Sequence, residues 1–145
     1  MSRGLRNNNP GNIRRSGTRF RGEVLPGSDP SFKEFYTVAL GYRAMFVVLD
    51  TYARRYALKS IREMITRYAP PSENFTEGYI RFVARTAGIT PDEELNTRRP
   101  QDMIPVVMAM SEIENGTPAN IGDVHRGWNL FADDRHATHV TPPAE

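Results

Sequence analysis

Cysteine is absent from the chain, which excludes disulfides, thiolate nucleophiles and thiolate metal ligands. No run of about 18 apolar residues occurs, so no membrane-spanning helix is expected. The N-terminus lacks the apolar stretch of a secretory signal, so work outside the cytoplasm would need a lysis system, a secretion machine or a virion to carry the protein there. Histidine is scarce: His125, His136 and His139 have no HExxH spacing, and no metal site is expected. A glycine-rich phosphate loop and a Ser-His-Asp order are also missing, and no cofactor is expected. Lysine is nearly missing, since of 19 basic residues only Lys33 and Lys59 are lysines and the other 17 are arginines. Finally, residues 1–22 contain no acid, although they carry Arg3, Arg6, Arg14, Arg15, Arg19 and Arg21.

What is present fits one domain. The chain has 145 residues, 39% hydrophobic and 25% charged, with a net charge of +2. That length buries a core without staples. Residues 1–132 read as the domain and 133–145 as a flexible tail holding His136, His139, Pro142 and Pro143. The arginine excess at the start suits carboxylates or phosphates, because guanidinium is a planar, forked donor. Nucleic acid is a rival partner for such a flank, but no helix-turn-helix, zinc-finger or RNP-like signature supports it.

Periodicity gives a mainly α fold with a small β element near the start. The stretch Arg6-Asn7-Asn8-Asn9-Pro10-Gly11-Asn12-Ile13-Arg14-Arg15 is too polar for core; its asparagines fix turns and offer side-chain amides. Asn12 to Arg14 and Arg19 to Arg21 read as a short β-hairpin, and Ser31 to Tyr36 as a third extended piece. Helices are expected from Gly41 to Tyr56, from Ser60 (with Glu63 closing a capping box) to Pro70, from Thr76 to Gly88, briefly after Thr90, from Pro100 to Glu114, and from Ile121 to Phe131. The helix ending at Glu114 is apolar nearly all round and should be buried.

Carboxylates are the chemistry left over. Glu114 stands at the C-terminal end of that buried helix, beside Asn115-Gly116. Burial and the negative end of the helix dipole both favour its protonated form, which is what a general acid needs near neutral pH. A solvated end-of-helix acid is the plainer alternative on spacing alone.

Two runs carry a family resemblance. Asn8-Asn9-Pro10-Gly11-Asn12-Ile13-Arg14, then Phe20-Arg21-Gly22-Glu23, then Phe32-Lys33-Glu34-Phe35 and Gly41-Tyr42-Arg43-Ala44 with a helix to Tyr52 and Tyr56, are similar to the middle of lysozyme-like N-acetylglucosaminidases. Val107 to Gly116 resembles the Glu-bearing helix end of lysozyme-like transglycosylases and glucosaminidases. In those enzymes the Glu helix comes first, so the resemblance implies a circularly permuted lysozyme-like domain. The pattern over residues 3–131, including Ala69 to Tyr79 and Glu114-Asn115-Gly116, also resembles small phage proteins of the virion or structural class.

The resemblance implies a peptidoglycan-cleaving glycosidase or lytic transglycosylase of phage type, located in a virion or the host periplasm. Glu114 would be the general acid and Glu23 the second carboxylate, with Glu73 as its alternative. A mechanism assisted by the substrate's acetamido group would need neither. Asn8, Asn9 and Asn12 would meet acetamido and hydroxyl groups, Arg14 and Arg43 would meet lactyl or peptide carboxylates, and Tyr68, Tyr79 or Trp128 would stack on a sugar. Peptidoglycan strands and other virion proteins are the implied partners; a non-enzymatic virion component and a nucleic-acid-binding module are the rival readings.

Overall fold

A computed structural model describes residues 1–72 and 74–136. Six helices run in the order α1 (Arg3–Arg6), α2 (Val38–Tyr56), α3 (Ile61–Tyr68), α4 (Thr76–Ala87), α5 (Pro100–Asn115) and α6 (Ile121–His136). Their starts follow from local chemistry. The Thr37 hydroxyl accepts from Leu40 N at the head of α2, and Ser60 accepts from Glu63 N at the head of α3. Glu63 reaches back past the cap to accept from Lys59 N, the residue before Ser60. Gly88 and Gly116 close α4 and α5 in the left-handed conformation, with φ of 71° and 70°. Pro100 sits in the first turn of α5, and Pro105 is accommodated inside it.

The core lies around α2 and α5. Ala44, Met45, Phe46 and Leu49 of α2 and Val107, Ala109 and Met110 of α5 are essentially fully buried. Helix α6 lies along α2, and Gly127 makes the close approach possible: a Cβ there would stand 2.6 Å from Tyr42 Cβ. Trp128 and Phe131 pack on Phe46, with ring centroids 5.0 and 6.1 Å away. Ile61, Met64 and Ile65 seat α3 beneath α4, and each such side chain contributes about 1.5–3 kcal/mol of burial.

Four expectations need correction. The N-terminal β-hairpin does not form. Among the described residues only two isolated antiparallel bridges occur, Arg14 with Phe32 and Glu23 with Phe35. The partner of residues 13–15 is therefore the segment 31–33, and side-chain amides supply bonds that a ladder would otherwise make. Residues 3–6 form α1, capped by Ser2; four residues are too few to show a helical period. Thr90-Pro91-Asp92-Glu93 makes only a turn, closed by Glu93 N on the Thr90 carbonyl. The start assigned to the tail is helical, because α6 runs on to His136 and Asp134 is held by Arg21 and Arg43. Residues 137–145, with His139, lie outside the described residues.

Candidate active site

The asparagines come first, because they build the floor on which everything else rests. Asn9 is fully buried: its amide donates to the Ile13 and Lys33 carbonyls at 3.0 and 2.9 Å, and its Oδ1 accepts from Ile13 N at 2.9 Å. Asn8, at φ 53°, donates to the Phe35 carbonyl at 3.0 Å. Asn7 donates to Asp29, which also receives a two-pronged contact from Arg3 and the N–H groups of Ser31 and Phe32. Those donors hold the Asp29 carboxyl well below the usual carboxylate range, the Arg3 bond first. Asn8 and Asn9 are thus consumed as backbone scaffolding and do not face a ligand, which corrects their expected role.

Asn12 differs from its neighbours. At φ 49° it turns its side chain toward the end of α5, and its Nδ2 donates to Glu114 Oε1 at 2.8 Å across 102 positions of sequence. Its Oδ1 is buried without a partner. An orphaned carbonyl costs about 1–3 kcal/mol, so the amide is held for its bond to Glu114 and not for its own satisfaction. From the other side, the Tyr79 hydroxyl of α4 donates to Glu114 Oε2 at 2.9 Å. Both carboxylate oxygens therefore meet neutral donors. Burial raises the Glu114 pKa above its ordinary value, while the bonds from Asn12 and Tyr79 and the charge of Arg14 oppose the shift. The Tyr79 phenol is itself pushed far up by burial and by the adjacent carboxylate.

The N-terminal segment is strapped to α5 at this point. Ser2 Oγ donates to Asn115 Oδ1 at 2.7 Å, and Asn115 Nδ2 donates to the Pro10 carbonyl at 2.8 Å. Gly4 fits under the strap because it has no Cβ; one would stand 2.7 Å from both Asn115 Oδ1 and Asn12 Oδ1. The Tyr68 hydroxyl of α3 donates to the Gly11 carbonyl and pins the other end of the loop.

Glu114 opens onto two clefts. One, of about 680 Å³, runs between the Gly11–Phe20 segment and the ends of α2 and α3. The other, of about 560 Å³, lies between α4 and the end of α5. Glu114 and Asn74 line both, so the two form arms of one path with the carboxylate at their junction. Of the sequence-derived site residues, the structure brings together Glu114, Asn12, Arg14 and Tyr79 here. Tyr79 holds the acid and offers no stacking face. Tyr68 lines the larger arm, and Trp128 belongs to the core.

Glu23 and Arg43 are elsewhere. Glu23 accepts from Lys33 Nζ with both oxygens at 3.1 Å, and the two side chains are 6% and 1% exposed. The same lysine donates to the Thr18 carbonyl, and Glu23 caps Phe20 N. A carboxylate so committed holds the loop together and is not a second catalytic group. Arg43 is buried against Asp134 at 2.7 Å and cannot meet substrate. Glu73 lies outside the described residues.

Sequence reasoning missed the walls of the path. Helical spacing gives Tyr52 and Tyr56 the pattern of core residues, but Tyr56 is 47% exposed and both line the larger arm. Arg55 and Arg67 line that arm, and Arg81 and Arg85 the other, beside Phe75, which is 76% exposed. The one available signal was the pair of arginines four apart on α4, which repel each other on a helix and have no acid between them. Among the described residues, no group of His, Asp and Glu could hold a metal ion, and no helix is long and apolar enough to cross a membrane.

No family model matches the chain. Against curated proteins, it is 42% identical over 136 residues to "Protein P5" of Pseudoalteromonas phage PM2, an alignment that spans 90% of this chain and 83% of that protein. At that identity and coverage, the chain belongs to the same family of phage proteins as Protein P5.

Proposed function

We propose that this phage-type protein is a peptidoglycan-cleaving glycosidase or lytic transglycosylase in which Glu114 is the general acid. The observation that carries the reading is the meeting of Glu114 with Asn12, at the junction of two clefts, from opposite ends of the chain. Burial keeps a proton on the carboxyl to higher pH than usual, so that it can be given to the oxygen bridging two sugars. As the proton leaves, the charge that develops on Glu114 is met by bonds from Asn12 and Tyr79 already in place, which is electrostatic preorganisation of the donor. A path open on both sides of the acid suits cleavage within a strand.

Glu114 is the sole acid among the described residues of the two arms, and Glu23 is tied to Lys33. Attack on the sugar by a group of the substrate itself, its acetamido oxygen or a hydroxyl, therefore fits these residues better than a second protein carboxylate. The lysozyme-like, permuted segment order belongs to the same reading. The asparagine-rich segment lies directly against the end of α5, through Ser2, Pro10 and Asn115, where it would follow in the unpermuted order.

The test is release of soluble muropeptides from purified sacculi by wild type and by Glu114→Gln. Wild-type release that the substitution abolishes is the expected result; equal release by both would remove Glu114 from the chemistry. A second reading, a virion component that holds glycan without cutting it, is favoured by the lack of a second acid in the described cleft. Wild type that sediments with sacculi and releases nothing would establish it.

A further inference from the structure

The arginines of this protein differ in their partners. Several away from the clefts are matched with acids: Arg62 with Asp92 and Glu77, Arg54 and Arg98 with Asp50, Arg21 with Asp134, Arg126 with Asp123, Arg3 with Asp29. Others go to backbone carbonyls, Arg6 to Met1 and Arg15 to Asp29. Along the clefts, Arg55, Arg67, Arg81 and Arg85 have no carboxylate within ion-pair distance among the described residues. Two of them are held by aromatic rings. The Arg67 guanidinium lies 4.0 Å from the Tyr56 ring centroid and 5.3 Å from that of Tyr52, and Arg81 lies 6.0 Å from the Phe75 centroid. Arg67 also hydrogen-bonds the Tyr52 hydroxyl; a guanidinium carries five N–H donors, so others remain for an anion. Arg81 and Arg85 share one face of α4, where like charges four apart work against the isolated helix.

We propose that the two arms carry arginine subsites for carboxylates, Arg55 and Arg67 on one side of Glu114 and Arg81 and Arg85 on the other. They make the protein specific for glycan strands whose substituents bear free carboxylates over neutral acetamido-glycans. The proposal rests on the glycan reading above and names the chemical class of strand. The charge order along the path selects such a strand. Cations stand on both arms with the acid between them. A glycan with carboxylates on alternate sugars sets anions beside the arginines and neutral sugar atoms beside Glu114. A nucleic acid, with a phosphate at every residue, would force one against the carboxylate.

Glycan strands with free lactyl and peptide carboxylates are compared with the same strands capped by carbodiimide and glycinamide, and with a neutral chitin-type oligomer. Capping changes the ligand and leaves the protein's fold untouched. Wild type should lose about tenfold in kcat/KM on capped strands, mainly through KM. The double variants Arg55→Ala/Arg67→Ala and Arg81→Ala/Arg85→Ala should each lose about as much on free strands and little more on capped ones. Glu114→Gln, used as a binding probe, should show the same preference for free strands. Equal rates on free and capped strands would overturn the proposal while leaving the glycosidase reading intact. Should wild type cleave nothing, retention of free but not capped strands would still support the subsites, and equal or no retention would overturn them. A single-stranded oligonucleotide that binds more tightly than the free strands, through the same arginines, would overturn them in favour of nucleic acid.

Discussion

Two glutamates meet the N-terminal segment, and the difference between them separates scaffold from site. Glu23 is met by a cation: Lys33 Nζ contacts both its oxygens, and both side chains are largely shielded from water. Glu114 is met by an amide and a phenol, and it opens onto two clefts. The ammonium of Lys33 ties the Glu23 carboxylate into a buried ion pair. Neutral donors hold the group in place and let its proton come and go. The pattern extends to Asp29, gripped by Arg3 and driven below the usual range while Glu114 is driven above it. The loop spends its charged contacts on its own shape and keeps one amide, that of Asn12, for the acid.

That contrast breaks if the two glutamates respond alike to loss of charge. Glu114→Gln should lower muropeptide release by about 10³-fold, within the range that general acid catalysis supplies, and should leave the folded protein at least as stable. Removing the partner of Glu23 should do the reverse. Lys33→Met strands a buried carboxylate, and such a loss costs about 3–5 kcal/mol. Chemical denaturation should show that loss, and the activity of the fraction still folded should stay near that of wild type. If Lys33→Met abolishes release at full folding, Glu23 is part of the chemistry after all.

Gly4→Ala tests the strap between the two regions. A Cβ there would stand 2.7 Å from the side-chain oxygens of Asn115 and Asn12. Forcing that contact apart should cost about 1–3 kcal/mol of stability, seen in a thermal melt. Because Asn12, one of the displaced side chains, holds Glu114, release should fall with it. A variant with unchanged rate would show that the strap is structural only.

The parts that sequence revealed and the parts it hid differ for physical reasons. Helices α2 to α6 were legible because burial imposes a period and because Ser60, Gly88 and Gly116 mark ends by local chemistry. Glu114 was legible as well, since its place at a buried helix end is a one-dimensional fact. The hairpin was misread because alternating residues around Ile13 and Phe20 look the same whether a strand pairs with its neighbour or with Phe32, and the bridge forms to Phe32. Asn8 and Asn9 were misread because an amide turned inward to the backbone and one turned outward to a ligand have the same sequence. Arg43 and Arg67 show the same limit: one is buried on Asp134, the other lies in the cleft, and only the packing of α2 against α6 and α3 decides which.

The smallest effect is the sharpest test of how Glu114 is tuned. Its pKa is raised by burial and restrained by bonds from Asn12 and Tyr79, both of which favour the ionised form. The acid must hold its proton to work, so release should persist above the ordinary glutamate value near 4.5 and fall as pH passes the raised one. Tyr79→Phe removes one restraint and keeps the ring, so the alkaline limb should move to higher pH, while the rate at its plateau falls by about tenfold or less because the departing proton's charge is less well met. Stability should follow the same sign. A carboxyl whose pKa rises on folding contributes stability that is full below its unfolded value and lost as pH climbs through the folded one. Glu114→Gln should therefore melt like wild type below pH 4.5 and at higher temperature above the raised value. An alkaline limb that shifts downward in Tyr79→Phe would mean that the phenol keeps the proton on Glu114, and that burial alone does not.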